Sequence, residues 1–187
     1  EELAATRPTL VVSPGPLTAF FPRRGTVTAG RMIAKPEQLA RLDAMGIPVP
    51  KWTVLAPDTR LDPGEWGPYV IIKPAAARSA HGKGMAIAPT ATVRYRPPED
   101  YPADHHGRHG PLLVQRFVVT GERASSYRVN TLFGAALYCI RNELHVPLPD
   151  LPGLRAPQLS SAIATNTSEA GGRIIELARD PDVLALA

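Results

Sequence analysis

The sequence predicts an α+β fold, and three observations carry that reading. Residues 36–45 have helical periodicity, with a proline at the head and a glycine just past the foot. Several later segments are short apolar runs bounded by Gly, Pro and polar turn residues, the form of strands joined by turns. Helix and strands are segregated along the chain instead of alternating as βαβ units, which favours a mostly antiparallel arrangement. A length of 187 residues fits one domain of ordinary size, or two small lobes sharing a cleft.

The elements follow in order. Thr9 to Ser13 reads as a short buried strand, and Pro- and Arg-rich connecting chain runs from there to Arg31. In the predicted helix, Pro36 occupies the first turn beside Glu37 and Gln38; Leu39, Leu42 and Met45 share one side, and Gly46 stops it. Pro48 and Pro50 forbid continuation and favour extended chain into Trp52–Leu55. After a turn-rich stretch, Tyr69–Pro74 reads as a strand ending in a lysine, and Met85–Ala88 as the strand that returns from a glycine-bearing tip. Residues 94–111 read as a loop rich in Pro, His, Gly and Asp. Leu112–Val119 is the next strand, Tyr127–Phe133 and Ala135–Ile140 form two more around Gly134, residues 147–172 look irregular, and Arg173–Ala178 looks like the start of a helix.

Composition narrows the function classes. A hydrophobic fraction of 44% and a charged fraction of 20% are those of a globular protein. The apolar runs fall well short of the roughly 20 residues a membrane span needs, and no basic-then-apolar leader opens the chain, so no membrane association and a cytoplasmic location are the expectations. The formal charge of +4 invites an anionic partner, carried by 17 arginines and only 4 lysines. The arginines are dispersed, with only Arg23 and Arg24 adjacent, so the footprint of a nucleic-acid binder is missing. The single Cys139 sits in an apolar run and reads as a small buried hydrophobe. Trp52 and Trp66 read as packing residues.

Gly82-Lys83-Gly84 is not a P-loop, because no Ser or Thr follows the lysine, and it lacks the third glycine of a dinucleotide fingerprint. Lys73 offers a different phosphate geometry: it ends an apolar strand, and a glycine-containing loop follows at once whose N–H groups can fold over phosphates. The bland alternative is a surface hairpin with a solvent-seeking lysine. His105, His106 and His109 beside Asp104 have metal-ligand chemistry, but a Pro/Gly-flanked loop lacks the groups that orient imidazoles, and no metal site is assigned. Arg94, Arg96 and Arg108 in that loop read as a solvated face.

At this point the chain resembles the ATP-grasp superfamily of carboxylate–amine or carboxylate–thiol ligases. The matching segments are Lys35 to Pro50, Val70 to Pro74 (Val-Ile-Ile-Lys-Pro), Ser79 to Gly84, Leu113 to Val118, Gly121-Glu122, and Tyr127 to Arg141; they run in the family's order over about 110 residues. The resemblance implies two small α+β lobes around a nucleotide cleft: residues 1–34 as the remnant of a preceding domain and linker, 35–118 as the N-terminal lobe with its lid, and 119–187 as the start of the C-terminal lobe. It implies that Lys73 and Lys35 reach the phosphates. Ser79, Gly82, Lys83 and Gly84 would lie in the lid. Gln115 to Val118 would form the hinge, where the Arg116 carbonyl and the Val118 N–H read adenine. Glu122 would bond the ribose hydroxyls, and Arg128 and Arg141 would face the transferred phosphate or the acyl phosphate.

The implied chemistry is ATP-dependent activation of an unidentified carboxylate as an acyl phosphate, followed by attack of an amine or thiol. The sequence departs from the family in one respect: the acidic residues and asparagine that hold magnesium have no counterpart between Leu144 and Ala187. The expectation is therefore a chain incomplete at its C-terminus, with Mg2+ belonging to a longer form and the chain itself inactive in catalysis. The competing reading is a non-catalytic basic module that binds nucleic acid or a protein through its arginine-rich loops.

Overall fold

Three sheets organise the chain in the computed structural model, which describes residues 7–13, 15–17, 24–76, 84–145, 147, 148, 150–153 and 173–185. The first is a parallel pair, β1 (Thr9–Ser13) and β2 (Gly25–Ala29), in register from Thr9 opposite Gly25 to Ser13 opposite Ala29. β2 lies inside the stretch read as connecting chain. Its Thr-Val-Thr core has strand-forming side chains, but no residue in it is fully buried, so no apolar run announces it.

Helix α1 (Lys35–Ala44) matches the predicted span to within a residue. Glu37 and Arg41 pair one turn apart at 2.5 Å. At the C-terminal end the Ile47 N–H donates to the Leu42 carbonyl and the Gly46 N–H to that of Asp43, a Schellman closure with Gly46 at φ +74°. The chain then extends into β3 (Trp52–Val54), and a one-turn helix α2 (Pro63–Trp66) follows, capped by the Asp62 carboxylate, which accepts from the Gly64 N–H at 3.0 Å.

The central sheet joins β3, β4 (Tyr69–Pro74), β5 (Ala86–Pro89) and β6 (Leu112–Arg116) in the order β3-β6-β4-β5, every neighbouring pair antiparallel. Period-two alternation divides their side chains between two faces. On one face Val70, Leu112 and Val114 pack with Leu55, Leu61, Val93 and the buried Trp66. Removing each fully buried residue of this kind from water contributes about 1.5–3 kcal/mol, so this face is the rigid floor of the structure. On the other face Ile87 packs with Tyr69, Ile71, Phe117, Leu148 and Leu151. β6 ends at Arg116, short of the predicted Val119; Val118 and Val119 are exposed. The loop 94–111 contains a 3-10 turn, Pro98–Asp100, and a one-turn helix α3 (His106–His109).

The third sheet is β7 (Ser125–Leu132), β8 (Ala135–Leu144) and β9 (Arg173–Ala178), in that order and antiparallel. The turn between β7 and β8 holds Phe133 at φ 50° and Gly134 at φ 79°, the left-handed pair a tight hairpin requires. β9 overturns the expectation of a helix starting at Arg173. Ile174 and Ile175 are β-branched, and β8 supplies a full ladder from Leu144 to Cys139, whereas a six-residue helix would close too few hydrogen bonds to offset its nucleation. The helix comes later and is short: α4 (Pro181–Ala185), with the Asp180 carboxylate accepting from the Asp182 and Val183 N–H groups. Of the segment read as irregular, residues 154–172 lie outside the described residues. Among the described residues no helix is long and apolar enough to cross a membrane.

Candidate functional site

Lys73 and Gln115 lie on the same face of the central sheet, on adjacent strands. The register pairs Lys73 with Leu113 and Ile71 with Gln115, and the Lys73 ammonium donates to the Gln115 side-chain carbonyl at 2.5 Å. A lysine near the end of an otherwise apolar strand is held in place by the row of residues before it. Burial lowers the Lys73 pKa from its ordinary value, and the charge of Lys35 lowers it further. Among the described residues Lys73 makes no ion pair. Its ammonium is thus oriented by a neutral acceptor, with no carboxylate partner among the described residues.

Lys35 opens helix α1 and reaches the same corner. Its backbone N–H donates to the Ala75 carbonyl at 3.0 Å and its ammonium to the Ala76 carbonyl at 3.3 Å. Burial lowers its pKa as well. Ala75 is gripped from the other side too, since its own N–H donates to the Pro111 carbonyl at 3.0 Å. The chain that leaves β4 is thus anchored where two cationic side chains converge.

Ser79, Gly82 and Lys83 lie outside the described residues. Gly84 is described: it adopts φ +74°, and a Cβ built there would meet the His106 ring at 2.0 Å. Only glycine fits both the backbone conformation and the contact. In the segment read as a hinge, the Arg116 N–H donates to the Lys51 carbonyl and the Phe117 N–H to that of Tyr69, while the Val118 N–H has no partner among the described residues. A groove of about 540 Å³ borders this segment, lined by Lys51, Gly67, Arg116 and Val118 among others. Four residue rows separate Lys73 from Phe117, about 13 Å along the strand. Glu122 has an exposed side chain, and its carbonyl accepts from the Leu148 N–H at 2.7 Å, which ties the start of the third sheet to the segment covering Ile87.

Arg128 and Arg141 are not brought together. Arg141 stands opposite Tyr127 and Arg128 opposite Ile140, so neighbouring rungs carry them and their side chains leave opposite faces of the sheet. Arg141 pairs with Glu143, two residues along on the same face, and Arg123 approaches Glu143 at 3.8 Å. Arg128 is exposed and makes no ion pair among the described residues.

Cys139 is buried on β8 and free of a disulfide, in the packing role read from its apolar surroundings. Trp66 is buried in the core, with the Lys51 ammonium 5.1 Å from its ring centroid and paired to Glu65. In the histidine loop, the His105 Nδ1 accepts from the Gly107 N–H at 3.0 Å, the His105 ring stacks on Tyr101 at 4.5 Å, and the His109 Nε2 lies 2.6 Å from the Ala103 carbonyl. Among the described residues no three His, Cys, Asp or Glu side chains gather as metal ligands.

Sequence reasoning placed Gln115 in the hinge and missed its bond to Lys73. The signal was there: a lone amide in an apolar strand must find a partner, and the register of two adjacent strands names it. The anchoring of Ala75 has no such signal, because backbone bonds do not depend on side-chain identity. No protein-family model matches this chain, and no curated protein does.

Proposed function

We propose that this chain binds ATP along β4 and β6, as the nucleotide-binding part of an ATP-grasp-type ligase that activates a carboxylate as an acyl phosphate for attack by an amine or thiol. The observation that carries this reading is the pair Lys35 and Lys73, two partly desolvated ammonium groups at one corner of the sheet with a neutral amide as the acceptor for Lys73. Burial and the nearby charge of Lys35 both disfavour the ammonium form of Lys73, and a polyanion beside it relieves that cost. The Val118 N–H supports the adenine end of the same reading, as a donor beside a groove.

In this reading the phosphates lie against Lys73 and Lys35, and the base reaches the hinge. The adenine amino group donates to the Arg116 carbonyl, and its N1 accepts from the Val118 N–H. Phosphoryl transfer spreads negative charge over the equatorial oxygens, so fixed cations aimed there lower the barrier without reorganising. Lys73, held by its strand and by Gln115, is such a cation. Of Arg128 and Arg141, Arg128 is the one left able to meet a phosphate, since Arg141 is engaged by Glu143. Magnesium enters no step derived from these residues.

Guanine inverts the donor and acceptor at the edge that the hinge reads. ATP should therefore bind more tightly than GTP by about tenfold, the worth of a mispaired hydrogen bond in a groove partly screened from water. Calorimetric titration of both nucleotides at one ionic strength tests this; equal affinities refute the adenine reading and leave a site for phosphate alone.

A further inference from the structure

The opposite face of the central sheet carries a second feature, which the proposed nucleotide site does not use. A cavity of about 230 Å³ has an apolar floor that includes Ile72, Ala88, Val93 and Leu112, and a basic rim of Arg94, Arg96 and His105. A neighbouring cavity of about 360 Å³ shares Leu55, Arg96, Tyr101 and Leu112 with it and is also lined by Pro57, Tyr95, Pro98 and Pro111. Ile72 precedes Lys73 in β4, so it points to the other side of the sheet. A ligand in this cavity is separated from Lys73 by the thickness of the sheet.

The rim is wired in place. Arg94 donates to the Val93 carbonyl at 2.7 Å and Arg96 to the Asp100 carbonyl at 2.9 Å, which orients both guanidinium groups and leaves further N–H donors on each. Arg96 lies 5.0 Å from the centroid of the Tyr101 ring, on which His105 stacks. The His105 Nδ1 is engaged by the Gly107 N–H, so in the neutral ring Nε2 carries the proton and is a donor. Among the described residues none of Arg94, Arg96 and His105 forms an ion pair. Gly107 permits the arrangement, since a Cβ there would lie 2.8 Å from the Tyr101 ring.

An apolar floor with fixed cationic donors along one edge is complementary to a small molecule with a flat or aliphatic body and one anionic group. We propose that this cavity is a binding site for a small apolar carboxylate, its head held by Arg94 and Arg96 and its body laid on Ile72, Ala88 and Leu112, with longer bodies extending past Tyr101 into the larger cavity. The site is distinct from the one proposed for ATP, and its occupant is not the carboxylate that would be phosphorylated. Gly84, at the base of the hairpin that leaves β4, also lines it.

Titration with naphthalene-1-carboxylate, followed by amide chemical shifts, tests the proposal on the full chain. Saturable shifts centred on Leu55, Val93 and Leu112 are expected, with naphthalene-1-carboxamide bound about tenfold more weakly or worse because it lacks the charge. Arg94→Gln with Arg96→Gln, both at exposed positions, should weaken the acid by about the same factor. Ala88→Leu should abolish acid binding by filling the floor. No saturable binding, equal affinity for acid and amide, shifts centred elsewhere, or unchanged binding in a folded Ala88→Leu variant would each overturn the assignment.

Discussion

Lys73→Met separates the proposed role of this lysine from a structural one, because the two predict opposite results. The substitution keeps an unbranched side chain of similar length and removes the charge. Burial and Lys35 both disfavour the charged form of Lys73, so deleting it relieves an electrostatic cost in the unliganded protein. The loss on the other side is one hydrogen bond to Gln115, whose amide is only half-buried and can turn to water, at a cost of about 1 kcal/mol or less. Stability should therefore hold within about 1 kcal/mol or rise. ATP affinity should fall by about 1.5–3 kcal/mol, roughly 10- to 150-fold, the worth of a charge-assisted bond to phosphate in a partly closed site. Urea unfolding measures the first quantity and titration calorimetry the second. Lys73→Met combined with Gln115→Leu removes any unpaired carbonyl and should bind ATP as poorly as the single variant. A folded Lys73→Met protein with unchanged ATP affinity, or one that binds normally but is destabilised by several kcal/mol, would refute the reasoning and leave Lys73 as a packing residue.

Lys73 also sets a pH dependence. Its folded pKa lies below the ordinary 10.5, so the unfolded chain binds the proton more tightly, and the stability of the free protein should rise as pH climbs from the lowered value towards 10.5. ATP favours the ammonium form, so its affinity should begin to fall below pH 10.5 with proton uptake on binding, read by calorimetry in buffers of different ionisation enthalpy; flat affinity up to that pH contradicts the assignment. Gly84→Ala should cost about 1–2 kcal/mol for its left-handed backbone in addition to the clash with His106. Adding His106→Ala should recover the steric part alone in thermal unfolding, and full recovery would show that the backbone conformation is not fixed. Arg128→Ala should lower ATP affinity about tenfold, whereas Arg141→Ala should chiefly cost the partly exposed pair with Glu143, about 1 kcal/mol or less of stability; equal affinity losses in the two variants would argue against the division between faces.

What was legible in the sequence follows from how each signal is encoded. Helix α1 announces itself through Pro36, Glu37 and Gly46 because caps and dipole preferences act on single residues. β4 and β6 are legible because both are buried on two faces and read as continuous apolar runs, with Lys73 and Gln115 the exceptions that mark chemistry. β2 and β9 were not legible, for opposite reasons. β2 buries no residue fully, so its alternation carries little apolar contrast. In β9, Arg-Ile-Ile-Glu-Leu-Ala satisfies a helical pattern as well as a strand pattern, and the choice is made by an unpaired edge of β8, far away in sequence. Arg128 and Arg141 show the same limit: their separation around a hairpin is readable, but whether they share a face depends on the register of the ladder.

The register of β4 against its neighbours also lets one strand border both proposed sites. Successive residues Ile72 and Lys73 belong to different faces, one lining the apolar cavity and the other bonded to Gln115. The strand cannot slip by one residue without driving an ammonium into the core of Val70, Leu112 and Val114, a cost of several kcal/mol that fixes both sites at once. Immediately beyond, Ala75 is clamped from both sides, its carbonyl by Lys35 and its N–H by Pro111. The first clamp belongs to the face of the lysines; the second belongs to the loop that carries Arg94, Arg96 and His105. Two backbone hydrogen bonds, from Lys35 to Ala75 and from Ala75 to Pro111, thus tie the start of helix α1 and the end of that loop to the same residue.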